Sequence, residues 1–189
     1  MRMRELVVTA AVACALGWFG HSAFSDDPPA GGGMDAFEKL AQPGEQHARL
    51  KSLVGEWNVH GTFNFGGPPS ESDGTSSYSM IMDGRYLRQE MKSTFMGGPF
   101  EGRGVIGYDN AKQKYVSFWI DNHGTGFMLG EGTETTPGKV WTFESKFPGP
   151  GGSTMTTKEV LTKVSDKELS YEMFMGGDKP AMTLKYTRK

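Results

Sequence analysis

From Gly55 onward the chain settles into a period of two, and turn residues interrupt it every 8–12 positions. Spacing that tight leaves room for short strands and little else. The strands read as 55–65, 74–82, 85–95, 101–109, 114–121, 125–132, 139–147, 153–163, 168–175 and 180–188. The 27 glycines support this: they gather between strands and follow no repeat period. Asp83-Gly84 is the clearest hairpin turn, because a type I′ turn needs positive φ at both central residues. About ten short antiparallel strands in succession predict an all-β, up-and-down barrel, whose closure removes exposed sheet edges. A two-sheet sandwich would use the same strands.

Ahead of the strands, Glu45 to Val54 carries Leu50, Leu53 and Val54 at helical spacing without a breaker, which predicts one short helix. The domain then spans 43–189. Asp26 to Gly33, DDPPAGGG, contains nothing to bury, and residues 26–42 read as a disordered linker. Residues 1–25 read as a signal peptide. Arg2 and Arg4 precede an apolar run from Leu6 to Gly20, and Ala23-Phe24-Ser25 offers small residues for cleavage near Ser25-Asp26. Export to the periplasm or beyond is the expectation, with an uncut N-terminal membrane anchor as the alternative. The mature chain carries no apolar run of the ~20 residues that a membrane span needs.

Cleavage would remove Cys14, the single cysteine, and with it any disulfide, thiol nucleophile or thiolate ligand. The formal charge would move from −2 to −3 with no basic patch, which argues against a nucleic-acid partner.

In an up-and-down barrel the loops alternate between two ends. The Gly-Gly pairs between strands all fall in one set: 66–73, 96–100, 122–124, 147–152 and 176–179. The other set, 83–84, 110–113, 134–138 and 165–167, is mostly short and shares its end with the helix. One open, loop-rich mouth and one closed, helix-plugged base follow.

Gly55-Glu56-Trp57 opens the first strand and Tyr186-Thr187-Arg188 ends the last. This resembles the calycin barrels, the lipocalins and their relatives, in which a first-strand Trp lies under a last-strand Arg at the closed end. Trp57 and Arg188 would pair there as a cation–π contact. A closer resemblance covers residues 45–189. His47 with LVGEW (53–57), GRYL (84–87), PFEGRGVIGYD (99–109), the WID and TG pair (119–121, 125–126) and YTR (186–188) look like the bacterial family of unknown function numbered 1579. The resemblance implies a calycin-like barrel and, in most members, export or an unassigned location. It implies no established activity, so no catalytic residue carries over and the cofactor stays unknown.

With Trp57 and Arg188 inward, Val59, Phe63 and Phe65 face in on the first strand, and Met182, Leu184 and Tyr186 on the last. Polarity adds Tyr78, Met80 and Met82; Leu87, Met91 and Phe95; Trp141 and Phe143; and Tyr171, Met173 and Met175. The strand 114–121 fits either way. The lumen therefore reads as methionine plus aromatic, a lining that adapts to varied apolar shapes. Ten strands should leave a cavity, since eight are just filled by their own side chains.

The leading expectation is a small apolar or amphipathic ligand in the lumen. Its lining would come from Phe63, Tyr78, Met80, Met91, Trp141, Phe143, Tyr171 and Met173, with Asp121 and His123 at the mouth. His123 in WIDNHGTG invites a metal, ligand-head or base role. The plainer reading is a turn in which Asp121 and Asn122 bond nearby backbone and Gly124 supplies positive φ. No second His or carboxylate recurs at ligand spacing, so no metal site is assigned. Met80-x-Met82 and Met173-x-Met175 would suit Cu(I), although adjacent inward core residues have the same spacing. A haem or metal binder, an enzyme using Asp121 and His123, and an interaction module using the mouth loops stand as alternatives. A protein partner is not identified.

Overall fold

The computed structural model describes residues 33–189; the leader and its cleavage point lie outside them. Two short helices, α1 (Gly33–Leu40) and α2 (Glu45–Leu50), lead through a 3-10 turn (Lys51–Leu53) into ten strands. These are β1 (Gly55–Phe63), β2 (Ser70–Ile81), β3 (Tyr86–Phe95), β4 (Gly98–Asp109), β5 (Lys114–Asp121), β6 (Met128–Thr136), β7 (Val140–Pro148), β8 (Thr154–Ser165), β9 (Glu168–Phe174) and β10 (Met182–Arg188). They form one closed antiparallel barrel in sequence order, with β1 pairing β10. No sheet edge is left open, which disposes of the sandwich.

The Met82–Arg85 turn is as expected. Arg85 N donates to Met82 O at 3.2 Å, and Asp83 and Gly84 sit at φ +55° and +82°. Three details differ from the sequence reading. Residues 33–40, inside the segment read as linker, form helix α1; it has no buried residue and is pinned only through its end. Asn110 Nδ2 donates to Leu40 O at 2.7 Å and to Gln42 O at 2.8 Å. Strand β6 begins at Met128 and runs to Thr136, because its partner β7 extends the ladder toward the base. Phe65, Met82 and Met175 do not face in: each lies one or two residues past the end of its strand, where alternation no longer dictates side.

The base is closed as expected. Arg188 stacks over Trp57 at 4.2 Å, and the two are direct cross-strand partners. The guanidinium also donates to Val54 O at 3.0 Å and Asp166 O at 2.7 Å. Leu50 and Leu53 are fully buried beneath the barrel beside Trp57, Trp141, Tyr115 and Leu169. Glu134, whose side chain is 6 % exposed, accepts from Arg49 Nη1 at 2.5 Å and from the Tyr115 hydroxyl at 3.3 Å, and from the Gly138 amide. Burial pushes the Tyr115 hydroxyl up to about 12. His47 is buried here too, accepting from Gly44 N at 2.9 Å and meeting Tyr108 edge-on, with its pKa lowered by burial.

Candidate functional site

The register decides the strand that alternation left open. Tyr115 is buried, and its parity mates Ser117, Trp119 and Asp121 share its inward side. Trp119 can lie flat against β4 because Gly102 and Gly104 stand opposite. A Cβ on Gly102 would come 2.1 Å from Trp119 Cζ2, and one on Gly104 2.8 Å from Trp119 Cε3. Trp119 Nε1 donates to Asp121 Oδ2 at 3.0 Å. Glycine here is what lets an indole fill the lumen wall.

From base to mouth the inward side chains form three storeys. The lowest is the apolar and aromatic plug already described, with Leu87, Leu161 and Tyr186 added. The uppermost is sulfur and ring. Met91, Met128, Met155, Met173 and Met182 come from β3, β6, β8, β9 and β10, and all face in by register. Phe63, Phe95, Phe100 and His123 make an aromatic group at the rim, with centroids 5.3–5.7 Å apart for Phe63–Phe95, Phe95–His123 and Phe100–His123.

Between them lies a polar belt that the sequence reading did not name. Gln89 Nε2 donates to Ser76 Oγ at 3.2 Å and to the Tyr186 hydroxyl at 3.3 Å. On the opposite wall Glu159 is only 4 % exposed, and Thr157 Oγ1 donates to it at 2.9 Å. Ser145, fully buried, lies beside the same carboxyl, yet its Oγ satisfies no hydrogen-bond geometry with any described residue. Ser145 and Ser117 both project over the bare α-carbon of Gly130, where a Cβ would lie 2.2 and 2.4 Å from their hydroxyl oxygens.

Burial raises the Glu159 pKa, opposed by the hydroxyls of Ser145, Thr157 and Tyr171. No Lys, Arg or His of the described residues contributes to that shift. Its cross-strand partners are Phe143 and Met173. Burial also raises Tyr171, with the Glu159 carboxyl adding to it, and raises Tyr78 and Tyr186 across the lumen. A buried carboxyl with no cation nearby is an expensive group to retain for packing alone.

Two hollows on the described residues lie outside the lumen. One, about 830 Å³, crosses the outer face of β6–β9 between Glu131, Thr142, Lys158 and Phe174. The other, about 410 Å³, lies at the mouth between Phe65, Met175, Lys179 and Pro180. Inside the barrel the base storey is solid. Higher up, Gln89, Ser117, Trp119 and Tyr171 face in while keeping part of their surface accessible. The rings that lie over glycines occupy much of the volume that strand number alone would leave open.

Of the expected lining residues, the barrel turns all eight inward: Phe63, Tyr78, Met80, Met91, Trp141, Phe143, Tyr171 and Met173. Trp141 and Met80 belong to the base storey, too deep in packed rings to meet a ligand entering from the mouth. Asp121 and His123 share a turn, but the link is the His123 main-chain amide donating to Asp121 Oδ1 at 2.9 Å, not an imidazole–carboxylate bond. Asn122 ties the turn to β4, accepting from Glu101 N at 2.9 Å and donating to Pro99 O at 3.0 Å. Gly124 is not among the residues with positive φ, so the turn is held by side chains instead. Neither methionine pair shares a face, because Met82 and Met175 lie outside the ladder. His60 points outward and meets Asp73 at 2.8 Å. Among the described residues no three His, Cys, Asp or Glu side chains gather as a metal site would require.

Thr157 and Glu159 were missed because strand 153–163 alternates without a clear apolar face, whereas Gln89 and Ser145 share the assigned inward faces of Leu87 and Met91 and of Trp141 and Phe143 and were passed over as polar. Met155, Thr157, Glu159 and Leu161 oppose Thr156, Lys158, Val160 and Thr162. Pairing with Phe143 and Trp141 on β7 resolves it.

The profile of the protein family of unknown function DUF1579 matches residues 42–188, from the loop before α2 to the end of β10. The chain belongs to this family. No curated protein matches it. Among solved structures it is similar to Rv2717c from M. tuberculosis, at 16% identity and TM-score 0.59, covering 78% of this chain and 99% of that one. It also matches a redesigned β-barrel, at 18% identity and TM-score 0.43, covering 75% of this chain and 95% of that one. A third match is EF1p2_mFAP2b bound to DFHBI, at 14% identity and TM-score 0.41, covering 77% of this chain and 98% of that one. The likeness to the M. tuberculosis protein is one of fold.

Proposed function

We propose that this DUF1579 member is an exported binding protein for a small amphipathic molecule, held in the upper half of the barrel with its polar end down. The observation that carries the reading is vertical order. Flexible methionines and rings line the mouth, a belt of buried polar groups lies below them, and the floor is solid. An apolar body would replace water against the methionines, at roughly 25 cal/mol per Å² of apolar surface buried, while a polar end met the belt. Methionine side chains can move aside to admit it.

Native mass spectrometry of the mature protein exported from a bacterial host, followed by solvent extraction, tests this. A discrete added mass that extracts as an amphipathic molecule supports it. A bare mass, together with no change in Trp fluorescence on titration with a lipophilic dye such as 1-anilinonaphthalene-8-sulfonate, would count against it. A second reading, an interaction module working through the mouth loops, is favoured by exposed apolar tips there: Phe65 at 48 % exposure, Met96 at 88 % and Phe127 at 58 %. Replacing all three with Ser should abolish a pulled-down partner under that reading and leave ligand mass intact under the first.

A further inference from the structure

We propose that the lumen selects molecules whose polar end donates hydrogen bonds, amines and alcohols above carboxylic acids, through Glu159 and Ser145. Such selection presupposes that the upper lumen is the binding site.

Glu159 lies five residues in from the mouth end of β8, roughly 17 Å along the strand. A molecule entering past Met155 would reach it beside Met173, its cross-strand partner, and below the Asp121 carboxyl at the mouth. The Glu159 carboxyl receives a protein donor from Thr157 and borders the Tyr171 hydroxyl, but no cation. A carboxylate has capacity for about four hydrogen bonds. Beside it, the buried Ser145 hydroxyl lies close enough to oppose the rise of the carboxyl's pKa, yet its Oγ meets full hydrogen-bond geometry with no described residue. A buried polar group left unpaired loses the hydration it had in the unfolded chain and gains nothing in exchange.

An alcohol placed there answers both needs. Its O–H donates to Glu159 while its oxygen accepts from Ser145. An ammonium donates to both oxygens and supplies the cation that the protein does not. A carboxylate head would instead set two acids face to face in a desolvated site, so that one must take up a proton or be excluded. The flanking storeys are sulfur and ring, so the rest of the molecule is apolar.

The test is a series with one chain and three heads: decylamine, 1-decanol and decanoate, titrated at pH 7 below micelle formation and followed by calorimetry. Wild-type protein is expected to bind decylamine about tenfold tighter than decanoate, a difference of about 1.4 kcal/mol, with decanol between them. Glu159→Gln should shrink the amine-over-carboxylate ratio to about threefold or less, because an amide neither attracts the ammonium nor repels the acid. Equal affinity for the three heads, or tighter decanoate, would overturn the selection while leaving lumen binding in place. No binding of any of the three would overturn both. The wild-type ranking stands as a test by itself if the variant does not fold.

Discussion

Two glutamates among the described residues bury their side chains, and they are treated in opposite ways. Glu134, near the base, is held by Arg49, a tyrosine hydroxyl and a main-chain amide. Glu159, in the lumen, has a threonine hydroxyl donating to it and no cation. The first is a finished structural joint between helix α2 and the β6–β7 turn. The second is an unfinished one. The contrast repeats the division between the two ends. At the base the large groups are closely packed, although the Trp57 and Trp141 indole N–H groups find no acceptor among the described residues, and at the mouth the side chains are flexible or stacked on one another. Stability is built at one end, which leaves the other free to accept a ligand.

Variants can break that division. Trp57→Ala should have the largest effect, a loss of about 3–5 kcal/mol, because a fully buried ring and its guanidinium partner go together. Urea unfolding of Trp57→Ala beside Phe100→Ala measures the asymmetry; equal losses would mean that the mouth is as structural as the base. Gly102→Ala comes next, at about 1–3 kcal/mol, since the new methyl would lie 2.1 Å from the Trp119 ring. A shift in Trp emission should accompany it, and unchanged emission would show that the indole does not rest on β4.

The glutamates separate by sign. Glu134→Gln should lower the unfolding midpoint at neutral pH, because it removes the buried charge that Arg49 pairs with and leaves only the exposed Glu45. Glu159→Gln should raise it. Burial lifts the Glu159 pKa in the folded protein above its unfolded value near 4.5. The native state then holds its proton more tightly, so the group favours folding below about pH 4.5. That contribution is lost as pH rises through the folded pKa. The gain from Glu159→Gln should therefore be greatest at neutral pH and vanish in acid, by urea titrations at several pH values. A variant less stable than wild type at every pH would show that Glu159 is as settled as Glu134. The smallest effect is expected from His123→Ala, within about 0.5 kcal/mol, because the ring is exposed and the turn is held by Asp121 and Asn122.

Strand number, the closed order, the Asp83-Gly84 turn, the helix-plugged base and the Trp57–Arg188 pair were all legible in the chain. All but the last rest on local rules, namely alternation, turn chemistry, and loop parity in a sequential barrel; the Trp57–Arg188 pair was implied by the resemblance to calycin barrels. Clean alternation also set the facing of β1 and β10. It failed on β5 and β8, where both faces mix polar and apolar residues, and those strands carry Trp119, Asp121, Thr157 and Glu159. A residue two places along a strand shares its face, but which face is the lumen is fixed by hydrogen-bond register with the neighbouring strand. In this protein that register turns Glu159 inward beside Phe143 and Met173, and lays Trp119 across Gly102 and Gly104. The amino-acid order by itself determined the container and its two ends. The polar belt inside it was decided by tertiary pairing, because nothing within a single strand distinguishes a solvated glutamate from a buried one.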